Sequence, residues 1–265
     1  RIKKMFKTQN KTQNKTTKII GKKQIDYEGQ KVWVSICPTR KCHGLVFSQN
    51  THTFYTSVKM KKGIQMVDHK ADNVHHVLYK KALDYLKQSI NAVDVGCRDG
   101  EFTRYLAWSF KHVYCFDYRK RIQFAMNIDL FTNQVTHYTC ALGETIHTES
   151  VSGRGNLRAV KGNQANRYAR ETAKVYTLDQ FNLKDINLIK VDVDGMDEEV
   201  LRGAEQTISK YEPIIIVEEI ESQGVKNHNA IGYLTQLGYK VAYLHQKLDS
   251  IHKDYIMVPK HYNTA

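Results

Sequence analysis

The sequence predicts an α/β fold with a mostly parallel sheet, a closing antiparallel hairpin and a small β-rich cap at the N-terminus. Beyond residue 90, short apolar runs alternate with segments of helical periodicity, as parallel strands joined by helices do. The last two apolar runs, 239–243 and 255–258, are joined by a polar stretch without helical periodicity, which favours an antiparallel hairpin. Residues 25–70 carry only short alternating runs, which predict strands.

The chain divides into three predicted segments. Residues 1–24 contain nine Lys or Arg and no acidic residue, and they are predicted to be a flexible basic segment. Residues 25–70 are predicted to form a small β-rich subdomain, with a hairpin around Glu28-Gly29 and further strands at 44–47 and 53–56. Residues 71–265 hold the alternating pattern and are predicted to form the main domain.

The composition favours anionic partners and a reducing compartment. The net charge is +13, and a second basic run covers residues 154–174, which is predicted to be a loop between two strands of the main domain. Such charge favours anionic molecules or surfaces, although a solvated tail explains the first 24 residues equally well. Five scattered cysteines argue against a disulfide framework, so a cytoplasmic location is expected. No apolar run approaches the roughly 18 residues of a membrane helix, and no secretory signal is predicted.

Hydrophobic periodicity assigns the elements of the main domain. A helix capped at Asp72-Asn73 is predicted to run to about residue 89 and to lead into an opening strand that ends near Asp94. The further predicted strands are 113–116, 135–140, 187–193, 213–217, 239–243 and 255–258, and the further predicted helices are 101–111, 119–131, 198–210 and 228–237.

The opening strand, its turn and the next helix predict a site for a nucleoside-containing cofactor. The strand ends in Asp94, and Gly96 and Gly100 follow before the helix begins. Such a turn lets the backbone approach a ligand, and a helix start offers unsatisfied N–H groups. The second strand ends in Asp117, and an acidic residue there suits a ribose diol.

Among three cofactors, S-adenosylmethionine fits this unit best. A P-loop needs a Gly-Lys-Ser/Thr run, and none follows Gly100. A dinucleotide fingerprint needs three glycines, but residues 96–100 hold only Gly96 and Gly100. An acidic residue before the first glycine, as Asp94 is placed, together with an acidic end to the second strand, favours a methyl-donor site.

A second group of charged residues ends the strand predicted at 187–193. Lys190, Asp192 and Asp194 alternate along it and therefore share one face, while Asp197 follows on the turn. The next strand ends in Glu218, which we expect beside Asp192 if the two strands are neighbours. Adjacent carboxylates can share a proton, so that one acts as a base, or they can hold a metal.

A zinc site is the weaker interpretation of the N-terminal cysteines. Cys37, Cys42, His43 and His52 are suitable residue types, but their spacing does not match a cysteine knuckle and no second pair follows. We therefore predict no metal.

Taken together, the motifs resemble those of the FkbM-type S-adenosylmethionine-dependent methyltransferases over roughly residues 75–260. The resemblance implies a Rossmann-like class I methyltransferase fold with a seven-stranded sheet, and methylation of a hydroxyl on a sugar, lipid or natural product. Arg98 stands where the family usually has Asn, Tyr118 where it has Pro, and Asp117, Asp194 and Asp197 where it has Glu. The resemblance is carried by Val93-Asp94-Val95-Gly96, Gly100-Glu101-Phe102-Thr103, 113–117, Asn127, Ala141-Leu142-Gly143, Tyr176-Thr177-Leu178-Asp179, 188–195, 200–204 and Ile216-Val217-Glu218.

These patterns and the resemblance give the predicted site residues. The predicted catalytic residues are Asp192, Glu218, Asp194 and Lys190. The predicted cofactor-binding residues are Asp94, Val95, Gly96, Arg98, Gly100, Thr103, Asp117, Tyr118, Cys140, Ala141, Leu142 and Asp192. The predicted substrate-binding residues are Arg154, Arg158, Lys161 and Asp197.

Three functions compete at this point. The first is O-methylation of a glycan, lipid or small metabolite, the second is RNA methylation with RNA bound by the basic segments, and the third is a non-catalytic binding module. The net charge of +13 supports RNA, whose binding weakens as salt rises. No Asp/Asn-Pro-Pro-aromatic motif is present, which disfavours methylation of adenine or cytosine amino groups.

Overall fold

A computed structural model describes residues 21–27, 30–36, 56–60, 64–68, 74–119, 124–125, 128, 131–152, 169–193, 195–220, 229–246 and 252–262. The strands are β1 Gly21–Tyr27, β2 Gln30–Ile36, β3 Thr56–Met60, β4 Ile64–Asp68, β5 Asn91–Val95, β6 His112–Phe116, β7 Val135–Tyr138, β8 Ala141–Leu142, β9 His147–Ser152, β10 Ala169–Tyr176, β11 Ile186–Val191, β12 Ile214–Ile220, β13 Tyr239–Gln246 and β14 His252–Pro259. The α-helices are α1 Val74–Leu83, α2 Glu101–Ser109, α3 Asp197–Arg202, α4 Glu205–Tyr211 and α5 Ala230–Gln236, and a 3₁₀ helix covers Leu178–Phe181.

The central sheet confirms the predicted fold class. Within the described residues it has seven strands in the order β13-β14-β12-β11-β5-β6-β7. The strands from β12 to β7 run parallel to their neighbours, while β14 pairs antiparallel with both β12 and β13. This is the Rossmann-like methyltransferase arrangement, with the predicted hairpin at its edge. The carboxyl ends of β5, β6, β11 and β12 therefore meet at one edge of the sheet, where ligands bind in open α/β sheets.

Strands β5, β11 and most of β12 are buried on both faces because nearly every residue in them is apolar. Successive side chains of a strand point to opposite faces, so one run supplies two hydrophobic cores. One core contains Val93, Val95, Ile189, Val191 and Ile215, and the other contains Ala92, Leu188, Ile214 and Ile216. Because these strands are continuously apolar, their charged residues lie near the strand ends. Those charged residues form the site described below.

The basic stretch 154–174, predicted as a loop, is partly a strand. Arg170 and Lys174 lie in β10, which pairs antiparallel with β9 and parallel with β8. The prediction was wrong there because exposed Thr172 and Lys174 alternate with buried Ala173 and Val175, which is the period of a strand. Residues 153–168 lie outside the described part of the chain.

The helix predicted over 198–210 is two helices, because Gly203 in its middle packs directly against the backbone of Gly143. Gly203 and Ala204 separate α3 from α4, and the Gly203 carbonyl accepts a hydrogen bond from the backbone N–H of Asp179. A Cβ on Gly203 would lie 2.0 Å from the carbonyl oxygen of Gly143. The Asp179 carboxylate then accepts hydrogen bonds from the backbone N–H groups of Gln206 and Thr207, which begins α4.

Other predicted boundaries differ in smaller ways. Helix α1 ends at Leu83 rather than near residue 89, and tighter turns follow in which the backbone N–H groups of residues 84–86 bond to carbonyls three residues earlier. Strands β13 and β14 extend into the predicted polar loop, to Gln246 and from His252. In the predicted helix 119–131, Phe124 and Ala125 are helical, and most of the other residues lie outside the described part.

The N-terminal region contains two described hairpins. Strands β1 and β2 pair around Glu28-Gly29 as predicted, and β3 pairs with β4 from Thr56 onward. The β3–β4 pair begins at the last residue of the strand predicted at 53–56 and was otherwise missed. The other predicted strand, 44–47, and the predicted helix cap at Asp72-Asn73 lie outside the described residues. Residues 1–20 of the basic segment also lie outside them. The three-segment division stays a prediction.

Gly203→Ala tests the close packing of α3. Its backbone (φ −71°, ψ −1°) suits alanine, so any cost comes from the clash with the Gly143 carbonyl. We expect a loss of about 3 kcal/mol in the free energy of unfolding, measured in urea. Gly238→Ala is the control, since its φ of +88° is strained but its Cβ would meet nothing within 4 Å; its expected cost is about 1 kcal/mol. Wild-type stability of Gly203→Ala would contradict the packing.

Candidate active site

The glycine turn after β5 lies against the end of β11. Gly96 and Gly100 both have left-handed backbones, with φ of +77° and +79°, which glycine adopts without strain. A Cβ on Gly96 would lie 2.0 Å from the Asp192 carbonyl oxygen, so no larger residue fits there. The backbone N–H groups of Gly96 and Cys97 both donate to the carbonyl of Phe116 at the end of β6. The turn is thus fixed to both neighbouring strands.

Asp117, the predicted ribose ligand, lies directly beside this turn. Its Oδ2 accepts a hydrogen bond of 2.9 Å from the backbone N–H of Arg98, and its Oδ1 accepts one of 2.9 Å from that of Arg119. Arg98 has a φ of +46°, in the left-handed region where Asn is much commoner than Arg, so its backbone is strained. The hydrogen bond from its N–H to the Asp117 carboxylate helps to hold this strained turn. Asp117 is only half-buried.

Three predicted cofactor ligands lie beneath the turn rather than on it. Asp94 and Thr103 are fully buried, and the Thr103 hydroxyl donates a 2.6 Å hydrogen bond to Asp94 Oδ2. Val95 is buried in the core. In this structure these side chains support the turn from below, because the strand that delivers Asp94 is covered on both faces.

Lys190 is a buried cation that joins the turn to the end of β11. Its side chain is 6% exposed, and its Nζ lies 3.5 Å from Asp94 Oδ1 and 3.1 Å from Asp192 Oδ2. It also donates a 3.5 Å hydrogen bond to the Gly96 carbonyl. Burial alone would lower the pKa of Lys190, but the charges of Asp192 and Asp94 raise it above its usual value. The ammonium is therefore charged throughout the physiological range.

Asp192 follows the last residue of β11 and is the exposed member of this group. Its side chain is 33% exposed. Burial alone would raise the pKa of Asp192, but the charges of Lys190 and His75 and the hydrogen bond from Lys190 lower it. Val191 pairs with Val217 in parallel register, which brings the next residues, Asp192 and Glu218, to the same edge as expected.

Three residues at this edge were not predicted from the sequence. His252 Nδ1 lies 2.6 Å from Glu218 Oε1, and Asp254 pairs with Glu218 across the β12–β14 ladder. His75 Nδ1 lies 3.2 Å from Glu101 Oε2. Burial alone would lower the pKa of His75, but Glu101 raises it. The one available signal was the closing hairpin, since an antiparallel β14 beside β12 returns residues 252–254 to the acidic edge.

Asp197, predicted to bind substrate, has both carboxylate oxygens engaged by backbone. Its Oδ1 accepts from the N–H of Val193 and its Oδ2 from that of Gly195, which closes the turn between β11 and α3. Burial, with a smaller effect of the Asp192 charge, raises the pKa of Asp197 to about 7. The other three predicted substrate residues, Arg154, Arg158 and Lys161, lie outside the described residues, as does Asp194.

The remaining predicted cofactor residues lie at the ends of β6 and β7. Tyr118 is half-buried, with its ring centroid 5.0 Å from the Arg119 guanidinium. Ala141 and Leu142 form β8, and Cys140 immediately precedes them; all three are buried. Burial raises the pKa of Cys140 to about 11, so the thiol is protonated at neutral pH. Their contact with a cofactor stays a prediction.

No metal centre is found in the part of the chain that the structure describes, where no three His, Cys, Asp or Glu side chains are grouped to hold an ion. Cys37, Cys42, His43 and His52 are not among the described residues. The helices that are described include none long and apolar enough to cross a membrane.

A comparison with models of known protein families identifies the family of this chain. The sequence model described as "Methyltransferase FkbM domain" matches residues 70–241. The chain belongs to the FkbM methyltransferase family. It is therefore a methyltransferase by family, and S-adenosylmethionine is its cofactor. No curated protein matches the chain.

Several solved structures are similar to this chain. An FkbM methyltransferase from Methylobacillus flagellatus KT shares 18% identity, with a TM-score of 0.47 over 63% of this chain and 43% of that chain. An rRNA methylase from Streptococcus thermophilus shares 11% identity, with a TM-score of 0.48 over 72% of this chain and 98% of that chain. A Streptococcus mutans protein in complex with SAH shares 14% identity, with a TM-score of 0.46 over 71% of this chain and 99% of that chain. This chain thus spans less than half of the FkbM structure.

The residues at the turn fit this cofactor by their chemistry. A left-handed glycine turn lets a ligand approach the backbone, and the half-buried carboxylate of Asp117 beside it suits two ribose hydroxyls. The carboxylates of Asp192 and Glu218 lie at the same edge of the sheet, where a cationic sulfonium is favoured over an anion.

Asp192→Asn tests the electrostatic coupling of the edge. Burial, followed by the charge of Asp192, raises the pKa of Asp254 to about 6. Removing that negative charge makes ionisation of Asp254 easier, so its pKa should fall towards the ordinary value of about 4. Carboxyl ¹³C NMR titration measures the shift. Asp84→Asn is the control, since that exposed residue forms a surface ion pair with Lys81 at 3.6 Å. An unchanged pKa of Asp254 in Asp192→Asn would contradict the coupling.

Proposed function

We propose that this protein transfers the methyl group of S-adenosylmethionine to a hydroxyl of a glycan, lipid or small metabolite. The observation that carries the proposal is the position of Asp192: an ionised, one-third exposed carboxylate held by a buried lysine beside the glycine turn. A hydroxyl needs an acceptor for its hydrogen to be oriented for attack, and a fixed carboxylate provides one.

The cofactor is proposed to bind over the turn between Gly96 and Gly100, with Asp117 on its ribose. Arg98, Tyr118, Cys140, Ala141 and Leu142 are proposed to surround it, and Asp94, Val95 and Thr103 to support the turn from beneath. When bound, S-adenosylmethionine supplies an electrophilic methyl group on a sulfonium.

Asp192 is proposed to orient the acceptor hydroxyl, and Lys190 to hold Asp192 in place. Methyl transfer is an in-line displacement, so alignment of the attacking oxygen is the main contribution that side chains can make. The lowered pKa of Asp192 keeps the carboxylate ionised at neutral pH, which suits it to accept a hydrogen bond. The same low pKa makes it a weak base, since general-base catalysis works best when the pKa lies near the operating pH.

RNA methylation is the second candidate, and the net charge of +13 is the observation that favours it. Lys and Arg that neutralise phosphates release counterions, so RNA binding through them weakens steeply as salt rises. A neutral glycan or lipid acceptor lacks this salt dependence. Arg154, Arg158 and Lys161 are the residues proposed to contact an anionic acceptor in either case.

The experiment is transfer of labelled methyl from S-adenosylmethionine to separate glycan, lipid and RNA pools at two salt concentrations. We expect label on a glycan, lipid or metabolite hydroxyl, with little loss at high salt. Asp192→Asn should lower turnover by a factor of about 10² or more while changing cofactor affinity much less. Asp84→Asn is the matched control and should keep wild-type turnover.

The outcomes separate the candidates. Label on RNA with a steep salt dependence would favour the second function over the first. Cofactor binding without transfer to any pool would favour a non-catalytic module. Full activity of Asp192→Asn would remove Asp192 from the mechanism.

A further inference from the structure

The destination of the hydroxyl proton is a question that the proposed function leaves open, and the inference here rests on that function. An alcohol oxygen must lose its proton as it is methylated, because the ether product has none. Asp192 orients the hydroxyl but holds a proton weakly, since its pKa lies below the usual value. Lys190, the next side chain along the strand face, is already protonated. The other ionisable groups at the same edge are the candidates to take the proton.

We propose that His252, oriented by Glu218, accepts this proton. The Nδ1 of His252 lies 2.6 Å from Glu218 Oε1, a short hydrogen bond. Glu218 in turn interacts with Asp192, as the neighbouring register of β11 and β12 requires. Asp192 and His252 therefore flank the same glutamate at this edge of the sheet.

The Glu218 contact decides which ring nitrogen acts. A carboxylate accepts hydrogen bonds, so in the neutral ring the proton lies on Nδ1 and is donated to Glu218. Nε2 is then the nitrogen that carries the basic lone pair. This is the usual arrangement of a general base, in which a third group fixes the tautomer and the orientation of the imidazole.

Charged groups from four elements lie at this edge of the sheet. They are Glu218 on β12, Asp254 on β14, Asp192 and Lys190 at the end of β11, and His75 on α1. Glu218 contacts the imidazole directly.

The step balances without a further reactant. The hydroxyl oxygen forms a bond to the methyl carbon while the carbon–sulfur bond breaks and its electron pair stays on sulfur. The hydroxyl proton passes to Nε2 of His252, which becomes an imidazolium. Because the His252 side chain is 46% exposed, the proton then leaves to water and the neutral ring is restored.

The kinetic test is His252→Gln, measured on the acceptor that wild-type protein labels. We expect turnover to fall by a factor of about 10² to 10⁴, with unchanged affinity for S-adenosylmethionine, and the acidic limb of the pH profile to disappear. His252→Ala should be partly rescued by added imidazole, which a merely structural role would not allow. His261→Gln is the matched control, because that exposed histidine pairs with Glu212 at 3.7 Å and lies beyond the opposite end of β14. Wild-type turnover and pH profile in His252→Gln would overturn the proposal.

A second measurement separates this inference from the proposed function. Imidazole ¹⁵N NMR of the full chain with S-adenosylhomocysteine needs no acceptor. We expect the neutral Nδ1–H tautomer of His252, and loss of that preference in Glu218→Gln. A neutral Nε2–H tautomer, or a ring that stays charged from pH 6 to 9, would overturn the role of His252 even if hydroxyl methylation is found. Absence of transfer by wild-type protein would instead refute the proposed function.

Discussion

The site depends on the ion pairs of one buried lysine. Lys190 lies between Asp94, which is fully buried, and Asp192, which is one-third exposed. Removing one partner of a buried pair leaves an uncompensated charge and typically costs about 3–5 kcal/mol. The ammonium therefore cannot move without exposing Asp94 to that cost. Because it also bonds to the Gly96 carbonyl, the glycine turn and the acidic edge form one rigid unit.

That unit places two kinds of chemistry side by side. Backbone at the turn is shaped by left-handed glycines and held to β6 by hydrogen bonds to Phe116, which suits a nucleoside. Carboxylates at the ends of β11 and β12 accept hydrogen bonds from a hydroxyl and attract a cation. Family membership supplies the cofactor, and the geometry of these strand ends supplies the reason why a hydroxyl is the acceptor we propose.

Local patterns in the sequence predicted the fold and half of the site. Lys190 and Asp192 are two residues apart on a strand, so their shared face follows from pleating alone. Long-range packing decided the rest. The break at Gly203 depends on Gly143, the burial of Asp94 depends on covered strands on both sides, and His252 reaches Glu218 only because β14 pairs antiparallel with β12. None of these contacts has a periodicity that a single sequence reveals.

A crystal structure of the protein with S-adenosylhomocysteine tests the central claim most directly. The claim is that Lys190 holds the cofactor turn and the hydroxyl-binding edge in one fixed arrangement. The structure should place the ribose hydroxyls within about 2.6–3.2 Å of the Asp117 carboxylate, with the sulfur facing Asp192 and with Lys190 still bonded to both Asp94 and Asp192. A nucleoside bound away from residues 96–117, or a Lys190 side chain released from Asp192, would contradict it.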